Sequence, residues 1–276
     1  MTSLVPYFEG GAEPFEGKGV SNGGRRWYAR DFMDMLGYES FQAFEHAINK
    51  AIATCSTLGI PVMDNFEQAR REVLGETVSD YKLTRFACYL VAMNGDVRKP
   101  QVARAQAYFA GLAEATRLAV ESVQDVERVQ IREDVSDRER SLSGVAKSAG
   151  VTEYGFFQNA GYRGMYNVDL GRLKNMKGLE VKSRSLLDFM GKRELAANLF
   201  RLTETEAKIK GDRVRGQGPA QAVAYSVGVR VREMMIKTDG TRPELLPLSS
   251  DIKDVKKGLK QAHREFKQLD QPKKKR

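Results

Sequence analysis

The chain has 276 residues, 41% of them hydrophobic and 29% charged, an ordinary globular profile that is long enough to bury one large core or two smaller ones. No stretch has the apolar length of a bilayer span, and the two cysteines, Cys55 and Cys88, lie too far apart to read as a redox pair; a reducing, cytoplasmic compartment with both thiols as small buried hydrophobes is expected. The net charge of +9 is uneven: Asp251 to Arg276 holds ten Lys or Arg against four acids, so +6 lies there and +3 in the first 250 residues, and a polyanion such as DNA is the expected partner.

Thr2 to Gly24 is rich in glycine and turn-formers, with short apolar pieces at Leu4-Val5 and Tyr7-Phe8, and predicts a small β-hairpin without the basic-then-apolar order of a signal peptide. RRWYARDFMDML then opens a helix. Phe41 to Leu58 predicts another, with Phe44, Ala47, Ile48, Ala51, Ile52 and Cys55 on one stripe, and Gly59-Ile60-Pro61 ends it. A less regular piece with Phe66 and Val73 leads to Asp80 as N-cap of a helix. On that helix Leu83, Phe86, Ala87, Leu90 and Val91 share an apolar face and Lys82 and Arg85 lie off it. Asn94-Gly95-Asp96 breaks it, and Pro100 suits the first turn of the next helix, which places Arg98 and Lys99 at an ordered corner.

Beyond Pro100 the positions Val102, Ala105, Phe109, Leu112, Ala119, Val123 and Val126, with Thr116 between, follow heptad spacing. This predicts a long connecting helix with Val102, Phe109, Leu112 and Ala119 as a homodimer seam; the alternative is two helices broken near Asp134 to Ser136. Phe156 to Tyr166 reads as an aromatic, glycine-rich turn. Leu186 to Lys192 has a helix, glycine turn, helix order, and Glu194 to Ile209 and Pro219 to Ile236 predict amphipathic helices. In the tail Ile252, Val255, Leu259, Ala262, Phe266 and Leu269 form a seam with lysines on the other faces, before a flexible basic end at Lys273 to Arg276. The expected fold is mainly α (α+β), with a hairpin-bearing, winged-helix-like DNA-binding domain over 1–99, the connecting helix over 100–142, a helical domain over 143–248 and the tail over 249–276.

Candidate phosphate contacts are Arg25, Arg26, Lys82, Arg85, Arg98, Lys99 and Arg104, joined by Lys256, Lys257 and Lys260 of the tail. Tyr162, Arg163 and Tyr166 either stack on unpaired bases or brace the bend made by Gly161 and Gly164. The loop from Gly11 to Gly19 has the wrong spacing for a phosphate-binding loop, and Gly19 stands where Ser or Thr must hold magnesium. Asp169 with Glu180 and Lys182 matches a short nuclease-like pattern, common enough to read first as a charged turn. His46 and His263 have no ligand partners at metal spacing, so no metal or cofactor is expected.

Several longer runs are dictated by no general helix rule: WYARDFMDMLGY, YKLTRFACYL, FFQNAGYRGMY, LLDFMGKRELAANLFRLTETE and PELLP. On these, from about Trp27 to Pro247, the chain resembles the DNA-damage-inducible protein D family, whose N-terminal part is similar to the BRO-type domain of viral and phage proteins. The resemblance implies a bacterial, nucleoid-associated DNA-damage response protein that binds single- or double-stranded DNA and modulates RecA recombinase filaments, with no enzyme activity. A BRO-like phage-type transcriptional regulator or antirepressor is the alternative.

Overall fold

A computed structural model describes residues 15–21, 24–73, 75–115, 123–179 and 184–271. The chain is mainly α and divides into two compact units, Met1–Val129 with Lys253–Arg276 and Gln130–Ile252. The division falls within a helix and returns the C-terminal segment to the first unit, a different partition from the one drawn along the sequence at 99, 142 and 248.

The first unit opens with a small antiparallel sheet of order β1–β2–β4–β3, made of β1 (Val20–Ser21), β2 (Arg25–Tyr28), β3 (Phe66–Val73) and β4 (Glu76–Leu83). Of the hairpin expected over Thr2 to Gly24, β1 pairs with β2, and the part before Phe15 lies outside the described residues. The larger hairpin is β3–β4, registered from Phe66 opposite Leu83 to Val73 opposite Glu76 around Gly75 at φ +84, where a residue without Cβ carries the left-handed turn at no steric cost. Asp80 therefore lies in a strand. Its carboxylate accepts Arg30 N (3.2 Å) at the start of α1 (Ala29–Met35), while Thr84 caps the helix that follows β4 by accepting Ala87 N (3.1 Å).

Of the stripe on α2 (Phe41–Leu58), Phe44, Ala47, Ile48, Ala51 and Cys55 are buried and Ile52 is half-buried, between a Ser40 cap and a left-handed Gly59. After the short α3 (Val62–Asn65) and the β3–β4 hairpin comes α4 (Arg85–Met93), all nine residues of which are buried. Its apolar pattern thus marks a central helix covered on every side, not an amphipathic one. On α5 (Pro100–Ala115), Val102 and Phe109 are fully buried in this unit, and Phe109 meets Phe15, Tyr89 and Tyr108 edge-on at 5.4, 5.9 and 5.1 Å. These two seam residues are core and are not available to a partner. Leu112 is half-buried, and Ala119 and the joint of the expected long helix at 116–122 lie outside the described residues.

The next helix, α6 (Val123–Ser148), passes through Asp134 to Ser136 without a break. In the second unit the expected glycine-rich turn is instead α7 (Tyr154–Tyr166), followed by α8 (Leu170–Met176), α9 (Lys192–Gly211) and α10 (Gln217–Asp239). Glycine serves close approach here rather than bending. A Cβ on Gly164 would fall 2.2 Å from Tyr225 O, and one on Gly228 would fall 2.6 Å from Gly161 O, so α7 and α10 pack nearly backbone to backbone. Leu186–Phe189 is a single 3-10 turn before α9, so no recognition-type helix pair forms there.

The last helix, α11 (Ile252–Asp270), buries Ile252, Val255, Leu259, Ala262 and Phe266 and leaves Leu269 50% exposed. Within the first unit, Phe266 and His263 set their edges against Phe86 (6.5 and 5.0 Å), and Phe266 does the same to Tyr89 (5.7 Å). The heptad seam in the sequence is the docking face of an ordered helix.

Candidate nucleic-acid interface

Arg85 is not a surface group. Its side chain is 5% exposed, donates from Nε to Asp270 (2.8 Å) and from Nη2 to Glu16 (3.0 Å), and lies 4.9 Å over the Trp27 ring. Asp270 also accepts Arg85 N (3.2 Å), so its carboxylate occupies the positive end of α4. Burial alone would raise the Glu16 carboxyl, but hydrogen bonds from Arg85, Tyr108 and Arg25 outweigh it and hold the group at about 2. Burial wins at Asp270, which shifts upward despite Arg85. Arg25 is also engaged by Glu16. Arg85 thus joins Glu16 and Asp270 beside Trp27, and Arg25 holds Glu16 from β2.

Tyr162 is likewise removed from the interface. It is 2% exposed, with the Arg201 guanidinium 4.9 Å over its ring, and Tyr166 is fully buried, its hydroxyl accepting from Asn198 (2.8 Å). Arg163 stays exposed on α7. At the corner, Arg98 is exposed but forks onto Asp96 (2.9 and 2.8 Å), whose carboxyl this hydrogen bonding holds at about 2. Lys99 donates to Gly37 O (2.8 Å) and lies 5.1 Å from the Tyr38 ring, while Arg104 is exposed on α5. Asp169 caps α8 by accepting Arg172 N (2.8 Å), and its two presumed companions in the nuclease pattern, Glu180 and Lys182, lie outside the described residues.

Two cationic surfaces do form on the first unit. The first is α11, where six Lys or Arg stand against three acids, one of which, Asp270, is spent on Arg85. Lys257, Lys260 and Lys267 are exposed and without an ion-pair partner among the described residues, and Lys256 is half-buried beside them. Docking of the apolar side fixes this cationic side outward. It also fixes His263. The Asn65 amide accepts from Thr84 Oγ1 (2.8 Å) and donates to Pro61 O (2.8 Å), which turns its NH2 toward His263 Nε2 (3.3 Å). That ring nitrogen must accept, so the imidazole is neutral; burial, with Lys267 beside it, lowers its pKa.

The second surface is the outer face of the sheet, where Arg26 and Lys82 are the residues expected from the sequence. Alternation sends Trp27 inward and Arg26 and Tyr28 outward, and Lys82 on β4 lies directly opposite Tyr28. Arg71 of β3 sets its guanidinium 4.9 Å over the Tyr28 ring and Lys82 Nζ is 5.9 Å from it. Arg30 lies 4.3 Å over Phe41 nearby. Glu67 is a distant partner of Arg26 (3.9 Å) and Lys82 (3.7 Å), and Arg71 pairs with Asp31 (2.9 Å). The only sequence signal for Tyr28 and Arg71 is alternation within two different strands, β2 and β3.

Among the described residues no three His, Cys, Asp or Glu side chains are grouped to hold a metal ion, and no helix is long and apolar enough to cross a membrane. A family model described as the BRO family N-terminal domain matches residues 17–110, and one described as the DinD C-terminal domain matches residues 122–255. The chain is also 36% identical over 255 residues, 87% of its length, to DNA damage-inducible protein D of Escherichia coli (strain K12), of which the match covers 93%.

Proposed function

The chain belongs to the DNA damage-inducible protein D family, and from that premise we propose that it serves the DNA-damage response by binding DNA through its first unit and modulating RecA recombinase filaments. It does so without catalysing a reaction, in the cytoplasm. The observation that carries the DNA part is α11: Val255, Leu259, Ala262 and Phe266 are buried within the first unit, so the lysines of the helix form a fixed cationic surface rather than a loose polycation. Such a surface neutralises phosphates in register and predicts affinity more than sequence preference. Any homodimer uses surfaces other than Val102 and Phe109, which the core already takes.

The test compares binding to random duplex, single strand and RecA-coated single strand at one salt concentration. Binding to DNA, together with slowed or reversed filament growth, is the expected result. Preference for one short duplex sequence with no effect on filaments would replace this reading with a phage-type regulator.

A further inference from the structure

We propose that the outer face of the β2–β4–β3 sheet, centred on Tyr28, is a stacking platform for unpaired bases of a single nucleic-acid strand, a step that rests on the DNA-binding reading above. Three observations meet there. An aromatic ring and three cations stand on neighbouring strands of one face, Tyr28 and Arg26 on β2, Lys82 on β4 and Arg71 on β3. Their side chains are packed yet accessible, with Arg26, Arg71 and Lys82 at 27, 28 and 28% exposure. Around Tyr28, Arg30 makes four cations against the carboxylates of Glu67 and Asp31; of the acids of β4 on the same face, Asp80 has its side chain entirely buried and Glu76 stands at the far end of the hairpin.

The chemistry favours an unpaired strand. A base in a duplex has both faces covered by its neighbours, whereas an unpaired base offers a π-face to Tyr28 or to the planar Arg71 guanidinium. The Glu67 contacts at 3.7 and 3.9 Å are loose, leaving Lys82, and the Arg26 donors other than the one given to Asp64 O (2.7 Å), able to meet backbone phosphates on either side of the ring. The opposite face offers no such site, since Trp27, Leu83 and Phe66 are core.

The platform is tested by fluorescence anisotropy with a labelled oligothymidylate and a duplex of equal length. The proteins are the full chain, Tyr28→Leu, Tyr28→Phe, Lys82→Glu, and a separate Lys257→Glu/Lys260→Glu variant. Loss of one stacked base should weaken single-strand binding by about tenfold or more in Tyr28→Leu, leave duplex binding within about twofold, and spare Tyr28→Phe, which keeps its ring. Should Tyr28→Leu not fold, Lys82→Glu reports on the same face, with weaker single-strand binding and a shallower salt dependence expected. Wild-type single-strand affinity in folded Tyr28→Leu or in Lys82→Glu overturns the platform. If DNA binding then vanishes in the α11 variant, the DNA-binding reading stands without it; if the unmodified chain binds neither DNA, both fall.

Discussion

Replacing Arg85 with Ala separates a clamp from a ligand. The side chain is 5% exposed and its partner Asp270 is 9% exposed, so the substitution strands a carboxylate that water reaches poorly, and with it a half-buried Glu16. Breaking a buried pair from one side costs about 3–5 kcal/mol, and the guanidinium over Trp27 adds up to ~2 kcal/mol that does not sum independently. Against a domain stability of ~5–15 kcal/mol that is a large fraction. Urea unfolding followed by the fluorescence of Trp27, the chain's single tryptophan, reads the change at the site itself. The expected result is a clear fall in the midpoint. Arg85→Met combined with Glu16→Gln and Asp270→Asn should recover most of the loss, because no charge is then left buried and unpaired. Wild-type stability in Arg85→Ala together with weakened DNA binding would refute the clamp and make Arg85 a phosphate ligand.

Gly164→Ala should destabilise the second unit by about 1–3 kcal/mol through overpacking against Tyr225 O, whereas Gly144→Ala, which meets nothing within 4 Å, should stabilise α6 by about 0.5–1 kcal/mol; thermal melts distinguish the two. The Glu16 carboxyl, about 2 when folded against 4.5 ordinarily, contributes stability that is full above pH 4.5 and is lost as pH falls toward 2. Glu16→Gln should flatten that acid limb modestly, since the side chain is 37% exposed and solvent screens it. His263, with its pKa lowered from 6.5, stabilises the folded state fully above that value and less as pH falls below it. Protection of the α11 amides, taken relative to the intrinsic exchange rate at each pH, should therefore fall below pH 6.5, and His263→Gln should remove that dependence.

What was legible in the sequence was local and periodic. The stripe of α2 and the seam of α11 follow from spacing alone, because a helix with one wet side must repeat its apolar residues every three or four positions. The β3–β4 hairpin was illegible because most of its residues are polar on both sides and Phe66 and Leu83 alone are core at its base. Arg85 looked like a surface charge since its partners lie 69 and 185 residues away. Gly161 and Gly164 look like a turn by local rules, and their use against Gly228 appears only when α10 is brought alongside. At the candidate interface the tail lysines could be read from composition, while Tyr28 and Arg71 required the sheet register.

The most direct test of the central claim is the salt dependence of duplex binding in the full chain and in a folded Lys257→Gln/Lys260→Gln/Lys267→Gln variant. If these three lysines, held outward by the docked helix, each neutralise one phosphate, the slope of log affinity against log salt should become shallower by about 2.7, with a matching loss of affinity at low salt. An unchanged slope and affinity in the folded variant would contradict the account, because the cationic side of α11 would then touch no DNA.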